Sequence, residues 1–229
     1  SLSTNGAVFR FDPNTGAITT VVARGAYGMG QTRGLVFGPD GNMYVQSNNG
    51  VYRFDTFGVP VGSQPFISVA YNTFSYGIKF GPDGNLYVSN SISPSVMRYN
   101  GTSGVFSDTV WSRSGAVAAG SLRGIAFGPD GSLYVADNGD RTAATATKVW
   151  KVNVSTGVSV PFTVSNQADS ASSFINDIDI GPDGYLWVDD WAVQKVKRYH
   201  ASTGAFIDNI INTSPLGDSP KGFWFWQCG

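Results

Sequence analysis

Apolar and polar residues alternate along this chain in short stretches, and the same pattern returns four times. Residues 37–45 read FGPDGNMYV, 80–88 FGPDGNLYV, 127–135 FGPDGSLYV and 180–188 IGPDGYLWV. A short apolar run ends in each Gly-Pro-Asp-Gly, as in Arg33-Gly34-Leu35-Val36-Phe37, and an alternating run such as Met43-Tyr44-Val45 follows it. Period-two alternation predicts β-strands. Gly-Pro-Asp-Gly predicts the hairpin turn between them: proline presets φ, aspartate tolerates the bridge region, and the last glycine accepts positive φ.

A second motif follows in each unit: VFRFDPNTG at 8–16, VYRFDTFG at 51–58, VMRYNGTSG at 96–104, VWKVNVSTG at 149–157 and VKRYHASTG at 196–204. Its leading valines stand at 8, 51, 96, 149 and 196, giving spacings of 43, 45, 53 and 47. Repeats of about 40–50 residues with several short strands each predict the blades of a β-propeller. Strand A precedes the GPDG turn, B follows it, C is the VYRFD-like run, and D follows the Thr-Gly turn. The terminal KGFWFWQCG overlays RGLVFGPDG, and Ser1-Leu2-Ser3 overlays the end of strand B. The expectation is a single all-β domain over 1–229, a five-bladed propeller of four-stranded antiparallel blades. Its fifth blade combines about residues 1–24 with 219–229, so that N- and C-terminal strands close the ring. A motif used four times is architectural, so Asp40, Asp83, Asp130 and Asp183 are read as structural.

Composition narrows the classes of function. Charged residues make up 14% of the chain, below the usual ~25%, and 29 of the 229 residues are glycine. The formal net charge of −1 supplies no field that would steer the chain to nucleic acid or anionic lipid. No apolar run approaches the ~20 residues that cross a bilayer. The lone Cys228 excludes an internal disulfide and a multi-cysteine metal site.

The repeats resemble NHL-type and SMP-30/gluconolactonase-like β-propellers, which read P-x-G-hydrophobic-x-hydrophobic-x-P-D-G-x-hydrophobic-Y-V. They are still more similar to the repeats of secreted bacterial proteins with a sorting signal of the PEP-CTERM kind, written around FGPDGNLYV and VLRYDGTTGAF. The stretch Val96-Met97-Arg98-Tyr99 with Gly101-Thr102-Ser103-Gly104 carries the second half. This resemblance covers nearly the whole chain and implies the fold. It also implies that strand A lines the central channel and that the D–A and B–C loops share one rim.

Function is then to be sought where the copies differ. Just before the strand A glycine the blades carry Arg33, Tyr76, Arg123, Asn176 and Lys221, and the glycine position itself holds Gly34, Gly77, Gly124, Asp177 and Gly222. These residues are expected to ring the channel mouth. Arginine forks there suit carboxylate or phosphate. Trp111, Trp191, Tyr27 and Tyr71 fall near rim loops, where a sugar-stacking surface would need them. The closing-strand Trp224 and Trp226 are read as core or seal. The insertion at 138–147 accounts for the longest repeat.

The lactonase resemblance implies a divalent metal held by a glutamate, two asparagines and an aspartate at the starts of inner strands. Only Asn176-Asp177 matches that set, so no cofactor is expected. Calcium near Asp177, Asp189 and Asp190 is the nearest alternative, although no EF-hand-like spacing is present. Ion pairs with the ring cations are the expected use of these carboxylates. A lyase on uronic-acid polysaccharide would need a base, a group neutralising the carboxylate and a proton donor. Tyr76 as base and acid with Arg33, Arg123 or Asn176 clamping the carboxylate could supply these, whereas the only histidine, His200, belongs to strand C of blade 4.

The sequence therefore supports a secreted, periplasmic or cell-surface binding or scaffold module. Its expected ligand is a polar, anionic small molecule or carbohydrate such as an acidic glycan, held by Arg33, Tyr76, Arg123, Asn176, Asp177 and Lys221. The alternative is an enzyme on the same face, either a polyuronate lyase or a divergent lactonase-type hydrolase. A purely structural array unit is the third class.

Overall fold

A computed structural model describes residues 6–70, 74–90, 92–113, 122–139, 148–164 and 174–212. Strands β1 (Val8–Phe11) and β2 (Ile18–Val22) form a two-stranded sheet. The first complete blade joins β3 (Thr32–Phe37), β4 (Met43–Ser47), β5 (Gly50–Phe54) and β6 (Ile67–Ser68) in sequence order. The second joins β7 (Phe74–Phe80), β8 (Leu86–Asn90), β9 (Ser95–Tyr99) and β10 (Phe106–Ser112). The third holds β11 (Leu122–Phe127), β12 (Leu133–Asp137), β13 (Lys148–Val152) and β14 (Ser159–Val164). The fourth holds β15 (Ile175–Ile180), β16 (Tyr185–Asp190), β17 (Lys195–His200) and β18 (Phe206–Asn212). All pairings are antiparallel. The chain is thus an all-β propeller with four complete blades among the described residues. Residues 219–229, expected in a fifth blade, lie outside them.

The core is a series of layers between sheets. The β1–β2 sheet and blade 1 share Val8, Val22, Met29, Met43, Val45, Tyr52 and Phe54. Tyr44, Ile78, Leu86 and Val88 fill the next layer, between blades 1 and 2. Tyr87, Val96, Leu122, Ile125 and Val135 fill the third, and Tyr134, Ile178, Leu186 and Val188 the fourth. Strands B are therefore buried on both faces, and alternate side chains serve opposite layers. The first strands of successive blades pack on one another, β3 on β7, β7 on β11 and β11 on β15, and β7 also approaches β15 across the axis.

The repeated nine residues hold each blade together. Gly41, Gly84, Gly131 and Gly184 turn with φ of 76°, 74°, 76° and 75°, where a side chain would be strained. In blade 2 the Asp83 carboxylate accepts hydrogen bonds from Tyr87 Oη at 2.9 Å and Asn85 Nδ2 at 2.8 Å, and it pairs with Arg98 at 3.7 Å. Arg98 also donates a two-pronged bond to Asp108 on β10, at 2.9 and 2.6 Å. Blade 1 repeats the arrangement with Asp40, Tyr44 and Arg53. Blade 4 repeats it with Asp183, Trp187 and Arg198, the last again forked onto Asp208. Blade 3 uses Lys151 on Asp130 at 2.7 Å, while Tyr134 donates instead to the Ala201 carbonyl of blade 4. Burial alone would raise the Asp83 carboxyl. The bonds from Asn85 and Tyr87 and the Arg98 charge instead hold it below the usual carboxylate range.

Tyr87 is fully buried and its ring packs edge-on against Phe127 of blade 3 at 4.9 Å. Tyr87→Phe keeps that ring and removes only the hydroxyl bound to Asp83. We expect it to lower unfolding free energy by about 1.5–3 kcal/mol, the range for a hydrogen bond to a charged group. An unchanged urea midpoint would show that the aspartate does not tie turn to strand.

Candidate functional site

Among the described residues, the first strand of each complete blade breaks register at or around the residue expected to line the mouth. Pairing of β3 with β4 slips between Thr32 and Gly34, at Arg33; that of β15 with β16 slips between Ile175 and Asp177, at Asn176. The slips in blades 2 and 3 span Tyr76 and Arg123. Such bulges re-aim a side chain and recur beside functional sites. The neighbouring glycine allows close approach: a methyl group on Gly77 would lie 2.7 Å from the Arg123 carbonyl. Buried polar side chains at the ends of second strands, or one residue beyond, clasp the next blade here. Gln46 donates to the Gly77 carbonyl at 3.4 Å, and Ser89 to the Arg123 carbonyl at 3.1 Å. Asn138 makes two bonds of 2.8 Å with the Ile175 backbone. Their signal in the sequence was a polar residue ending an otherwise apolar strand B.

Three of the expected residues come together. The Arg33 guanidinium carbon lies 5.3 Å from the centre of the Tyr76 ring, and that of Arg123 lies 4.7 Å from the same centre. Arg123 also lies over the Phe174 ring at 5.0 Å, and Phe174 meets Trp191 edge-on at 5.9 Å. The result is a ladder of cations and aromatic rings crossing four blades, with Tyr76 38% and Trp191 48% exposed. Cation–π contacts contribute about 0.5–1 kcal/mol each at exposed sites and more when desolvated. Asn176 is half-buried on β15, next along the ring. Lys221 lies outside the described residues.

Asp177 occupies the position of the ring glycine and packs its carboxylate against Gly124 of blade 3. Burial pushes its carboxyl up to about 7; Lys79 and the Ile178 amide oppose the shift, while Asp179 and Asp189 add to it. Below it, Lys79 on β7 and Asp179 on β15 form an ion pair of 2.7 Å across the axis. Lys79 was not among the expected residues, since position 79 is occupied by Val36 and Ala126 in blades 1 and 3.

Several expectations need correction. Among the described residues the ion-pair partner of Asp190 is Lys197 of its own blade, at 2.9 Å with both side chains 1% exposed, rather than a ring cation, and Asp190 also accepts the Phe174 amide at 3.0 Å. Trp111 is not a rim aromatic: it is buried between blades 2 and 3 and packs against Trp150. Tyr27 leans on Phe54, which pairs with Met43 at the GPDG end of blade 1. Tyr71, Trp224, Trp226 and residues 140–147 lie outside the described residues. His200 ends β17, exposed and 3.0 Å from the Ser202 hydroxyl. Among the described residues no three histidine, cysteine, aspartate or glutamate side chains converge as a metal site. Asp190, held by Lys197, is not placed to join Asp177 and Asp189 around calcium.

The raised carboxyl of Asp177 has a pH consequence. Its ordinary value is 3.8 and its folded value about 7, so the folded protein holds this proton more tightly than the unfolded chain. Its contribution to stability is complete below about pH 4 and is lost as pH rises through 7. Asp177→Asn cannot ionise, so its thermal midpoint should fall less than that of the wild type between pH 4 and 8. Parallel melting curves for both proteins across that window would contradict the assignment.

The comparisons with known proteins place this geometry on a familiar scaffold. No family model and no curated protein matches the sequence. Solved structures do match. A virginiamycin B lyase from Staphylococcus aureus aligns with a TM-score of 0.62 at 18% identity, over 89% of this chain and 62% of that one. A structure of the nidogen/laminin complex aligns at 0.67 and 13% identity, over 89% and 71%. A calcium-binding regucalcin from Agrobacterium tumefaciens aligns at 0.60 and 17% identity, over 90% and 74%. The chain therefore spans about three fifths of the lyase's length. What these proteins share with it is the β-propeller fold.

Proposed function

We propose that this chain is a binding module whose channel mouth takes an anionic ligand, with an acidic glycan as the ligand class its chemistry suits. One observation carries this reading: Arg33, Tyr76 and Arg123, one from each of three successive blades, meet in a single stack. Arginine recognises carboxylate, sulfate or phosphate through a planar fork, and a ring beneath it fixes the direction of that fork. Trp191 offers an exposed indole at the end of the ladder, suited to the apolar face of a sugar ring. Asn176 and Lys221 would extend the polar rim. The likeness of the repeats to those of secreted bacterial proteins supports a place outside the cytoplasm.

The same proposal includes a fifth blade. The β1–β2 sheet packs ahead of blade 1 in the way each blade packs ahead of the next. Between β1, β3 and the Lys79–Asp179 pair lies a groove of about 700 Å³, lined among others by Val8, Phe9, Leu35 and Phe37. Phe37 is 49% exposed there. Residues 219–229, apolar and aligned with strand A, suit that groove. Deleting residues 222–229 should lower the urea midpoint of the whole ring, because apolar layers would be left in water. A truncated chain that unfolds like the intact one would refute the closure.

Binding is tested with oligogalacturonate by calorimetry. Arg33→Ala and Arg123→Ala should each weaken it about 10- to 100-fold, the equivalent of one charge-assisted contact of about 1.5–3 kcal/mol. Added salt should weaken wild-type binding as well. Affinity indifferent to both arginines and to salt would remove the mouth as the site. Release of an unsaturated product absorbing in the ultraviolet would assign the face to a lyase instead.

A further inference from the structure

We infer that Phe174 and Trp191 form a sugar-stacking platform at the mouth, and that the buried Asp190–Lys197 pair is the device that positions it. The inference rests on the proposed glycan reading and assigns that site a further subsite. Trp191 stands one residue beyond strand B of blade 4, where blades 1 and 3 carry Asn48 and Asn138. Both asparagines are buried, and Asn138 is bonded to the Ile175 backbone. Trp191 is 48% exposed instead. Blade 4 thus presents an indole to solvent where two other blades bury an amide. That indole meets Phe174, the ring over which Arg123 lies.

An exposed side chain loses part of what it gains from a ligand in being ordered, unless the protein orders it beforehand. Here the backbone does so. The Trp191 amide donates to the Phe174 carbonyl at 2.9 Å, and the Phe174 amide donates to Asp190 Oδ1 at 3.0 Å. The other oxygen of Asp190 takes Lys197 Nζ at 2.9 Å. One carboxylate therefore joins β17 to the residue that leads into β15. Residues 191–194 then turn back through Gln194 at φ 57°, a conformation uncommon for a residue with a side chain.

The pair is particular to this blade. At the same two places blade 2 has Asn90 with Met97 Sδ at 3.7 Å, and blade 3 has Asp137 accepting Trp150 Nε1 at 3.0 Å. Only blade 4, among the complete blades, puts a lysine opposite the end of strand B. A buried carboxylate deprived of its lysine takes up a proton or moves toward water, and either change weakens its hold on the Phe174 amide. The platform offers an apolar face to the C–H groups of a pyranose, so it recognises the ring and not the acid. Acidic and neutral pyranosides alike are its ligand class.

The test measures binding of oligogalacturonate and of its methyl ester by calorimetry on the intact protein. Trp191→Ala should weaken both by about tenfold. Asp190→Leu combined with Lys197→Met removes the amide acceptor and leaves no buried charge, so the fold is kept and both ligands should weaken by at least about fivefold. In the Trp191→Ala protein the same two substitutions should weaken binding by no more than about a further twofold, since Arg123 keeps its contact with Tyr76. A general loosening of blade 4 would add its full effect in both backgrounds and would overturn the positioning role. Lys197→Gln removes the charge but keeps a donor; in it the Phe174 and Trp191 amides should exchange hydrogen at least about tenfold faster, with β11 and β12 unchanged. Unaltered protection would show that the pair does not hold the arm. Binding weakened by the arginine substitutions but not by Trp191→Ala would leave the anion site standing and overturn the platform. Binding of acid and ester alike, weakened by Trp191→Ala but indifferent to both arginines, would keep the platform and remove the anion site. Binding of neither ligand would overturn both.

Discussion

The aspartate of each GPDG turn is the interaction on which the blades depend. A four-stranded blade is a small sheet whose strands are two to seven residues long, and side-chain ties add to its backbone bonds. In blade 2 one carboxylate reaches Tyr87 on strand B and Arg98 on strand C, and the same arginine continues to Asp108 on strand D. Turn and three strands are thereby tied by side chains within one unit. The tyrosine then adds a second function, for its buried ring fills the layer shared with the following blade.

Concentrating these ties at the GPDG end leaves the opposite ends of the strands open to change. There the first strands carry Arg33, Tyr76, Arg123 and Asn176, three different chemistries on one backbone position, each at a break in register. The blades are held together at this end by different means. Gln46, Ser89 and Asn138 each clasp the backbone of the next blade, so the chemistry at the mouth position can change from blade to blade without removing these ties. This division explains how a repeat can be uniform at one rim and individual at the other.

Blade 4 departs furthest from the repeat, and its carboxylates have separate uses. Asp183 keeps the structural bond to Trp187 and Arg198. Asp190 is neutralised by Lys197 in the interior, where removing either partner would leave a buried charge uncompensated. Asp179 crosses the axis to Lys79. Asp177, close to Asp179 and Asp189, holds its proton to about pH 7. The acidity of this blade is thus largely spent on internal pairing rather than gathered into a cation site.

The sequence by itself determined whatever is local or repeated. The turns follow from Pro and Gly at fixed offsets, the strands from alternation, and the common level of Arg33, Tyr76 and Arg123 from their equal place before the glycine. Backbone geometry acts over a few residues, so a single sequence carries it. Tertiary structure alone decided which side chains meet. Lys79 and Asp179 stand 100 residues apart and touch only because β7 and β15 face one axis. Trp111 entered the core rather than the rim because β10 lies against the next blade. Phe174 became a rung between Arg123 and Trp191 because Asp190 fixes its amide. Such contacts depend on distance through space, and repeat spacing sets the level of a residue around the ring but not the reach or partner of its side chain.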